Sequence, residues 1–150
     1  MGAQVWSQAS PGIHAEQGVD GFGSPLRIGS FDRGPAADLA VQAGGSLVKG
    51  QIAAGAVSVL YGSAGGLTRS GGRLFTQVGS RAEEQDFFGW ALAAGDFNHD
   101  GFADLAAGAP NEDVGALQFA GAVSVLYGSA AGLTTTGARL FTQVASAAEV

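Results

Sequence analysis

Short apolar runs broken by glycine, serine, asparagine and aspartate recur along the chain. In the second half, Trp90-Ala91-Leu92-Ala93-Ala94-Gly95 is apolar and rich in small residues, which predicts a buried inner strand. Leu105-Ala106-Ala107-Gly108-Ala109 predicts a second strand, stopped by Pro110. Proline suits a strand end because it lacks the N–H that a ladder needs. Ala122-Val123-Ser124-Val125-Leu126-Tyr127 is the clearest strand, β-branched and apolar and closed by Gly128-Ser129. Ala138-Arg139-Leu140-Phe141-Thr142-Gln143 predicts a fourth, with partial alternation.

This set of strands occurs twice. Gly55 to Val78 and Gly121 to Val144 are identical at 20 of 24 positions, with an offset of 66 and no gap. The same offset aligns Phe22-Gly23 with Phe88-Gly89, Leu26 with Leu92, Gly29 with Gly95 and Phe31 with Phe97. It also aligns Asp38-Leu39-Ala40 with Asp104-Leu105-Ala106. Four short strands per unit describe one β-propeller blade. The period is too long for one coil of a β-helix, and a sandwich would not explain near-identical units in tandem. The fold class is therefore all-β: two blades of four antiparallel strands, at 22–87 and 88–150. Val5-Trp6-Ser7-Gln8 echoes Leu74-Phe75-Thr76-Gln77, so 1–21 is read as an extra N-terminal strand, the outer strand of a preceding blade, with its connection. Propellers close with about 4–8 blades. Two blades make an incomplete ring with open edges and an apolar face, so self-association or packing on neighbouring blades is expected.

Composition narrows the function. The 26 glycines are spread along the chain, which fits tight turns and not long helices, where each costs about 1 kcal/mol. A net charge of −6 with Lys49 as the only lysine offers no basic patch for nucleic acid. No run of ~18 apolar residues exists to span a membrane. The start, Met1 to Ser10, has neither the basic nor the apolar segment of a signal peptide, and reads as a cut from a longer chain. The absence of cysteine excludes disulfides and thiolate metal sites.

One segment carries chemistry. Between the first two strands of the second unit lies Asp96-Phe97-Asn98-His99-Asp100-Gly101-Phe102-Ala103-Asp104. Oxygen side chains fall at its first, third, fifth and ninth positions, with a turn-permitting glycine at the sixth. Calcium takes about 6–8 oxygens, and alternate positions of a loop can wrap one ion. Three carboxylates so close together repel one another without a cation. The loop follows the first part of an EF-hand in its ligand logic, but Ala107 stands where the closing glutamate would be. Asp104 must therefore close the site. His99 is expected to face solvent, since imidazole suits calcium poorly. In the first unit the loop reads Ser30-Phe31-Asp32-Arg33-Gly34-Pro35-Ala36-Ala37-Asp38. Two oxygen positions and the turn glycine are lost, so no calcium is expected there, and Arg33 is expected to pair with a carboxylate.

Phe88-Gly89 and Gly108-Ala109-Pro110 flank the complete loop in a fixed order. The unit resembles the FG-GAP repeat of integrin-α-like propellers and of bacterial surface proteins. That resemblance implies Ca2+ held by Asp96, Asn98, Asp100 and Asp104 side chains and by the Phe102 carbonyl. It also implies an extracellular or cell-surface setting. In the first unit Gln42-Ala43-Gly44 replaces the Gly-Ala-Pro triplet.

The expected function is a non-catalytic, calcium-binding module for adhesion or other protein contact. The alternatives are a calcium-dependent glycan binder using Trp6, Trp90 and Tyr127, and an accessory domain of a secreted enzyme. Tyr61 and Tyr127 recur in phase, as core residues do. His14 and His99 lie beside no nucleophile pattern, and no nucleophile elbow, P-loop or zinc-spaced histidines occur. Glu83, Glu84 and Asp86 read as a solvated connection, and Asn111 to Ala120 as a candidate contact loop bearing Glu112, Asp113 and Phe119.

Overall fold

A computed structural model describes residues 2–7, 10 and 21–143. It contains eight strands and, among the described residues, no helix. They are β1 (Leu26–Gly29), β2 (Asp38–Ala43), β3 (Ala56–Ser63), β4 (Gly66–Phe75), β5 (Ala91–Gly95), β6 (Asp104–Ala109), β7 (Ala122–Tyr127) and β8 (Thr134–Thr142). Two four-stranded sheets form in simple order, β1-β2-β3-β4 and β5-β6-β7-β8. Every pairing is antiparallel. The repeat extends to irregularities: β4 shifts register against β3 between Val59 and Tyr61, and β8 against β7 between Val125 and Tyr127.

The two sheets share one apolar core. Phe31, Val57, Tyr61 and Phe75 of the first unit cluster with Phe88, Leu92, Leu126 and Leu133 of the second. Phe88 is fully buried, and its N–H donates to Ala54 C=O at 2.8 Å. The next residue, Gly89, has φ +86°, and its N–H donates to Gly108 C=O at 2.9 Å. The Phe-Gly pair and the Gly-Ala-Pro triplet are thus hydrogen-bonded to each other at one end of β6. The opposing Gly55 has φ +82°, and a Cβ there would stand 2.4 Å from the Phe88 backbone. Only glycine combines that φ with so close an approach.

Two expectations are corrected. β5 is an edge strand, paired only with β6, and it is half-buried. Leu92 faces the core, while Ala91, Ala93 and Trp90 are exposed. The period-2 alternation of a strand puts Ala91 and Ala93 on the opposite face, and Trp90 precedes the strand. The N-terminal segment is also not a strand over its described residues 2–7. It contacts β4 through a side chain instead: Gln4 Nε2 donates to Leu67 C=O and Gln4 Oε1 accepts from Leu67 N–H, both at 3.1 Å. A single amide thus satisfies both backbone groups of Leu67, and no ladder follows.

Gly55→Ala is expected to lower stability by about 2–5 kcal/mol, from the left-handed backbone together with overpacking against Phe88. Chemical denaturation checks this. A loss below about 0.5 kcal/mol, the ordinary surface range, would mean that the sheets do not depend on this approach.

Candidate metal centre

The loop joining β5 to β6 is built on backbone amides that point at side-chain oxygens. Asp96 Oδ1 accepts from Asp100 N–H at 3.2 Å, and Oδ2 accepts from Gly101 N–H at 3.0 Å. Asn98 Oδ1 accepts from the same Asp100 N–H at 3.0 Å, and Asn98 Nδ2 donates to Asp100 Oδ2 at 2.9 Å. Asp100 Oδ1 takes Phe102 N–H at 2.9 Å. Gly101 has φ +88°, and His99 has φ 61° and is exposed. These two left-handed residues curl the chain so that Asp96, Asn98 and Asp100 meet around one amide.

Asp104 has a different place. It is fully buried, its Oδ2 accepting from Phe97 N–H at 2.8 Å and its Oδ1 from Gly128 N–H at 2.9 Å. It ties the loop to the chain just after β7. Asp38 does the same in the first unit, accepting from Phe31 at 2.7 Å, Asp32 at 3.3 Å and Gly62 at 2.8 Å. Burial, the largest cause, holds the Asp38 carboxyl above its ordinary range, and the nearby Asp32 charge adds to the rise. Gly62 and Gly128 must be glycine, since a Cβ on either would lie 2.3 Å from a carbonyl of the loop it meets. Sequence reading missed this role. The signal was there: Asp38 and Asp104 recur in phase while the loops around them diverge.

The donors offered are all oxygen, the chemistry that suits a hard cation and not zinc or copper. Three exposed groups, Asp96, Asn98 and Asp100, converge, and a carboxylate oxygen that accepts one hydrogen bond keeps a further lone pair. The residues therefore fit calcium in kind. Among the described residues, however, no three acidic, histidine or cysteine side chains gather into a ready-made metal cluster. Backbone N–H groups already offset the three aspartates, so repulsion among them does not by itself require an ion. Phe102 is half-buried, and the Arg33 guanidinium lies over its ring at 5.7 Å. Arg33 was expected to pair with a carboxylate; its contact among the described residues is this aromatic face.

Elsewhere, Asp86 is buried and not solvated, accepting Glu83 N–H at 2.5 Å. Glu112, expected on a contact surface, is also buried and takes a hydrogen bond from Gln77 Nε2. Burial is the main cause that raises both carboxyls above their ordinary values, and neighbouring negative charge adds to it. In the same loop Asp113 accepts Phe119 N–H at 2.8 Å, and Phe119 is exposed. The aromatic residues considered for sugar stacking do not share one cavity. Trp90 lines one with Phe87 and Gln42, and Trp6 lines another with Gln4 and Leu67. His14 lies outside the described residues.

The segment from the Phe-Gly pair through the loop, β6 and β7 matches a family model, the FG-GAP repeat, over residues 88–126. Residues 88–126 are an FG-GAP repeat. The chain is also 40% identical over 96 residues to phosphatidylinositol-glycan-specific phospholipase D of Mus musculus. It is 40% identical over 98 residues to the proteins of that name from Rattus norvegicus and Bos taurus. Each match covers 63% of this chain but only 12% of the relative's length. The FG-GAP repeat is a non-catalytic module, and the enzyme name belongs to the much longer relatives. No helix among the described residues is long and apolar enough to cross a membrane.

Two outcomes are expected. Asp38→Ala strands buried N–H groups and lowers stability by about 2–4 kcal/mol, equally in calcium and in chelator, as urea denaturation in both buffers would show. Glu112 holds its proton more tightly folded than unfolded, so its contribution is full below the unfolded value and is lost as pH rises through the folded one. Glu112→Gln removes that loss. Its stability relative to the parent should therefore be higher at pH 7 than at pH 4, and an unchanged difference would refute the assignment.

Proposed function

We propose that the chain is a calcium-binding, non-catalytic interaction module whose two sheets are FG-GAP blades of a β-propeller, working outside the cell. The observation that supports this reading most is the convergence of Asp96, Asn98 and Asp100 oxygens on the Gly101 turn of an FG-GAP repeat. Asp96, Asn98, Asp100 and Asp104 would hold the ion with the Phe102 carbonyl. The ion would supply positive charge that rigidifies the loop, and it would stabilise the folded state by mass action because it binds that state. The chain's own part is to aim the oxygens, with Asp104 fixing the loop base whether or not metal is present.

The similarity to phosphatidylinositol-glycan-specific phospholipase D favours the role of accessory module within a larger secreted protein. A glycan-binding role is the second reading. It rests on exposed Trp90, set edge-on to Phe87 at 5.6 Å, lining a cavity beside the buried Gln42 side chain. A glycan array probed with and without calcium separates the two.

Calorimetric titration should show about one calcium per chain, with a dissociation constant on the order of 10⁻⁴–10⁻³ M, as in other extracellular modules. Asp96→Ala or Asp100→Ala should abolish the heat without unfolding the chain, because both residues are exposed. Asp32→Ala in the first loop should leave it unchanged. Binding that survives Asp100→Ala would overturn the site.

A further inference from the structure

The first repeat carries Gln42-Ala43-Gly44 where the second has Gly108-Ala109-Pro110, and the exchange places a side chain where none is needed. Gly108 C=O accepts Gly89 N–H at 2.9 Å, and Gln42 C=O accepts Gly23 N–H at 3.1 Å. The backbone turn is therefore the same with and without a side chain at this position. The Gln42 side chain is 3% exposed, and its Nε2 has no hydrogen-bond partner among the described residues. A buried donor left unpaired is costly, and folded proteins keep few of them. Two glycines make room for this one. A Cβ on Gly44 would lie 2.5 Å from Gln42 Nε2, and a Cβ on Gly89 would lie 2.9 Å from Gln42 Cγ.

The amide lines a cavity of about 440 Å³ whose walls come from both repeats. Ser24, Pro25 and Ala53 belong to the first repeat, and Phe87 and Trp90 reach it from the next connection. The two rings are edge to face with centroids 5.6 Å apart, and Trp90 is 63% exposed. Their turn is pinned: Phe87 N–H donates to Ala53 C=O at 3.1 Å, and Phe87 C=O accepts Trp90 N–H at 2.9 Å. Phe87 has φ 54°, which a bulky residue seldom adopts.

The lining selects the ligand. No charged side chain among the described residues lines the cavity, so it offers no counter-charge to a phosphate, a carboxylate or an ammonium group. Of the side chains that line it, those of Gln42, Ser24 and Trp90 can form hydrogen bonds. A saccharide brings many hydroxyls, each both donor and acceptor, and would set several of them against apolar walls. A peptide carbonyl only accepts, and a proline brings no N–H that needs a partner. Polyproline II segments make no internal hydrogen bonds and dock in aromatic-lined grooves.

We propose that this cavity takes a proline-rich segment of a partner protein, with a prolyl ring against Trp90 and Phe87 and a peptide carbonyl accepting from Gln42 Nε2. The inference rests on the proposed role in protein contact and not on the calcium site.

Nuclear magnetic resonance of the isotope-labelled chain, titrated with decaproline, tests it. The side-chain amide signals of Gln42 and the indole signal of Trp90 should shift together, in calcium and in chelator alike. Gln42→Gly restores the residue of the second repeat and should weaken binding about tenfold, the loss of one hydrogen bond from a buried donor. Trp90→Ala alters an exposed residue and should weaken it at least as much. Circular dichroism confirms that both variants are folded. A Gln42→Gly that binds decaproline as tightly as the parent overturns the proposal, as does the absence of any shift at millimolar peptide. A shift of the same signals by maltotriose but not by decaproline also overturns it, and assigns the cavity to glycan. Decaproline binding by a chain that takes up no calcium supports it while overturning the calcium site.

Discussion

Everything in this chain is organised by one contact, the packing of the first repeat's Phe31, Val57, Tyr61 and Phe75 face on the second repeat. A single four-stranded meander has no interior of its own, since each sheet can bury a face only against another layer. The approach is close because Gly55 and Gly89 admit backbone and side chain where a Cβ would collide. The contact joins unlike faces of like units. It joins one face of each sheet, and equivalent residues such as Phe31 and Phe97 differ in exposure according to whether they fall within it.

The ninth-position aspartate of each loop connects this packing to the proposed chemistry. A buried carboxylate is costly unless it is hydrogen-bonded, and Asp104 and Asp38 are each bonded by backbone N–H groups on both oxygens. These bonds fix where β6 begins relative to Gly128, just after β7, and where β2 begins relative to Gly62, near the end of β3. In the second loop the same residue lies at the base of the Asp96, Asn98 and Asp100 turn. A residue with two duties of this kind makes a poor probe of metal binding, because its removal would disturb the strand ends whether or not an ion is bound. The exposed aspartates carry the cleaner information.

Strand positions were legible because the repeat reported them twice: the run from Ala122 to Tyr127 and the stop at Pro110 agree with the observed ends of β7 and β6. The meaning of the Phe-Gly and Gly-Ala-Pro elements as mutually bonded turns was legible only as a pattern. Burial was not legible. Phe31 and Phe97 are the same residue at equivalent positions of the repeat, and their different fates depend on position in the array. Asp86 and Glu112 were misread for a related reason. Both lie in irregular connections without alternation, and they are brought inward by contacts between segments distant in sequence. The Gln4 contact left no trace in hydrophobic pattern at all, because a side-chain amide can imitate a strand's pairing at one residue without any strand propensity.

The divergence of the two loops follows from the same asymmetry. The second repeat holds the first loop from outside: Ala103 N–H donates to Ser30 C=O at 2.8 Å, Ser129 N–H donates to Phe31 C=O at 3.3 Å, and the Phe102 ring lies under Arg33. A loop clamped in this way has its conformation fixed by protein. It can lose oxygen donors at Ser30 and Gly34, and accept a cation from its own sequence in Arg33, without losing its shape. The second loop has no following repeat among the described residues. Phe97 is exposed there, and the loop retains the full series of oxygens. On the proposed reading, an ion in the second loop does what a neighbouring sheet does for the first. On that reading the two means of ordering a loop are alternatives.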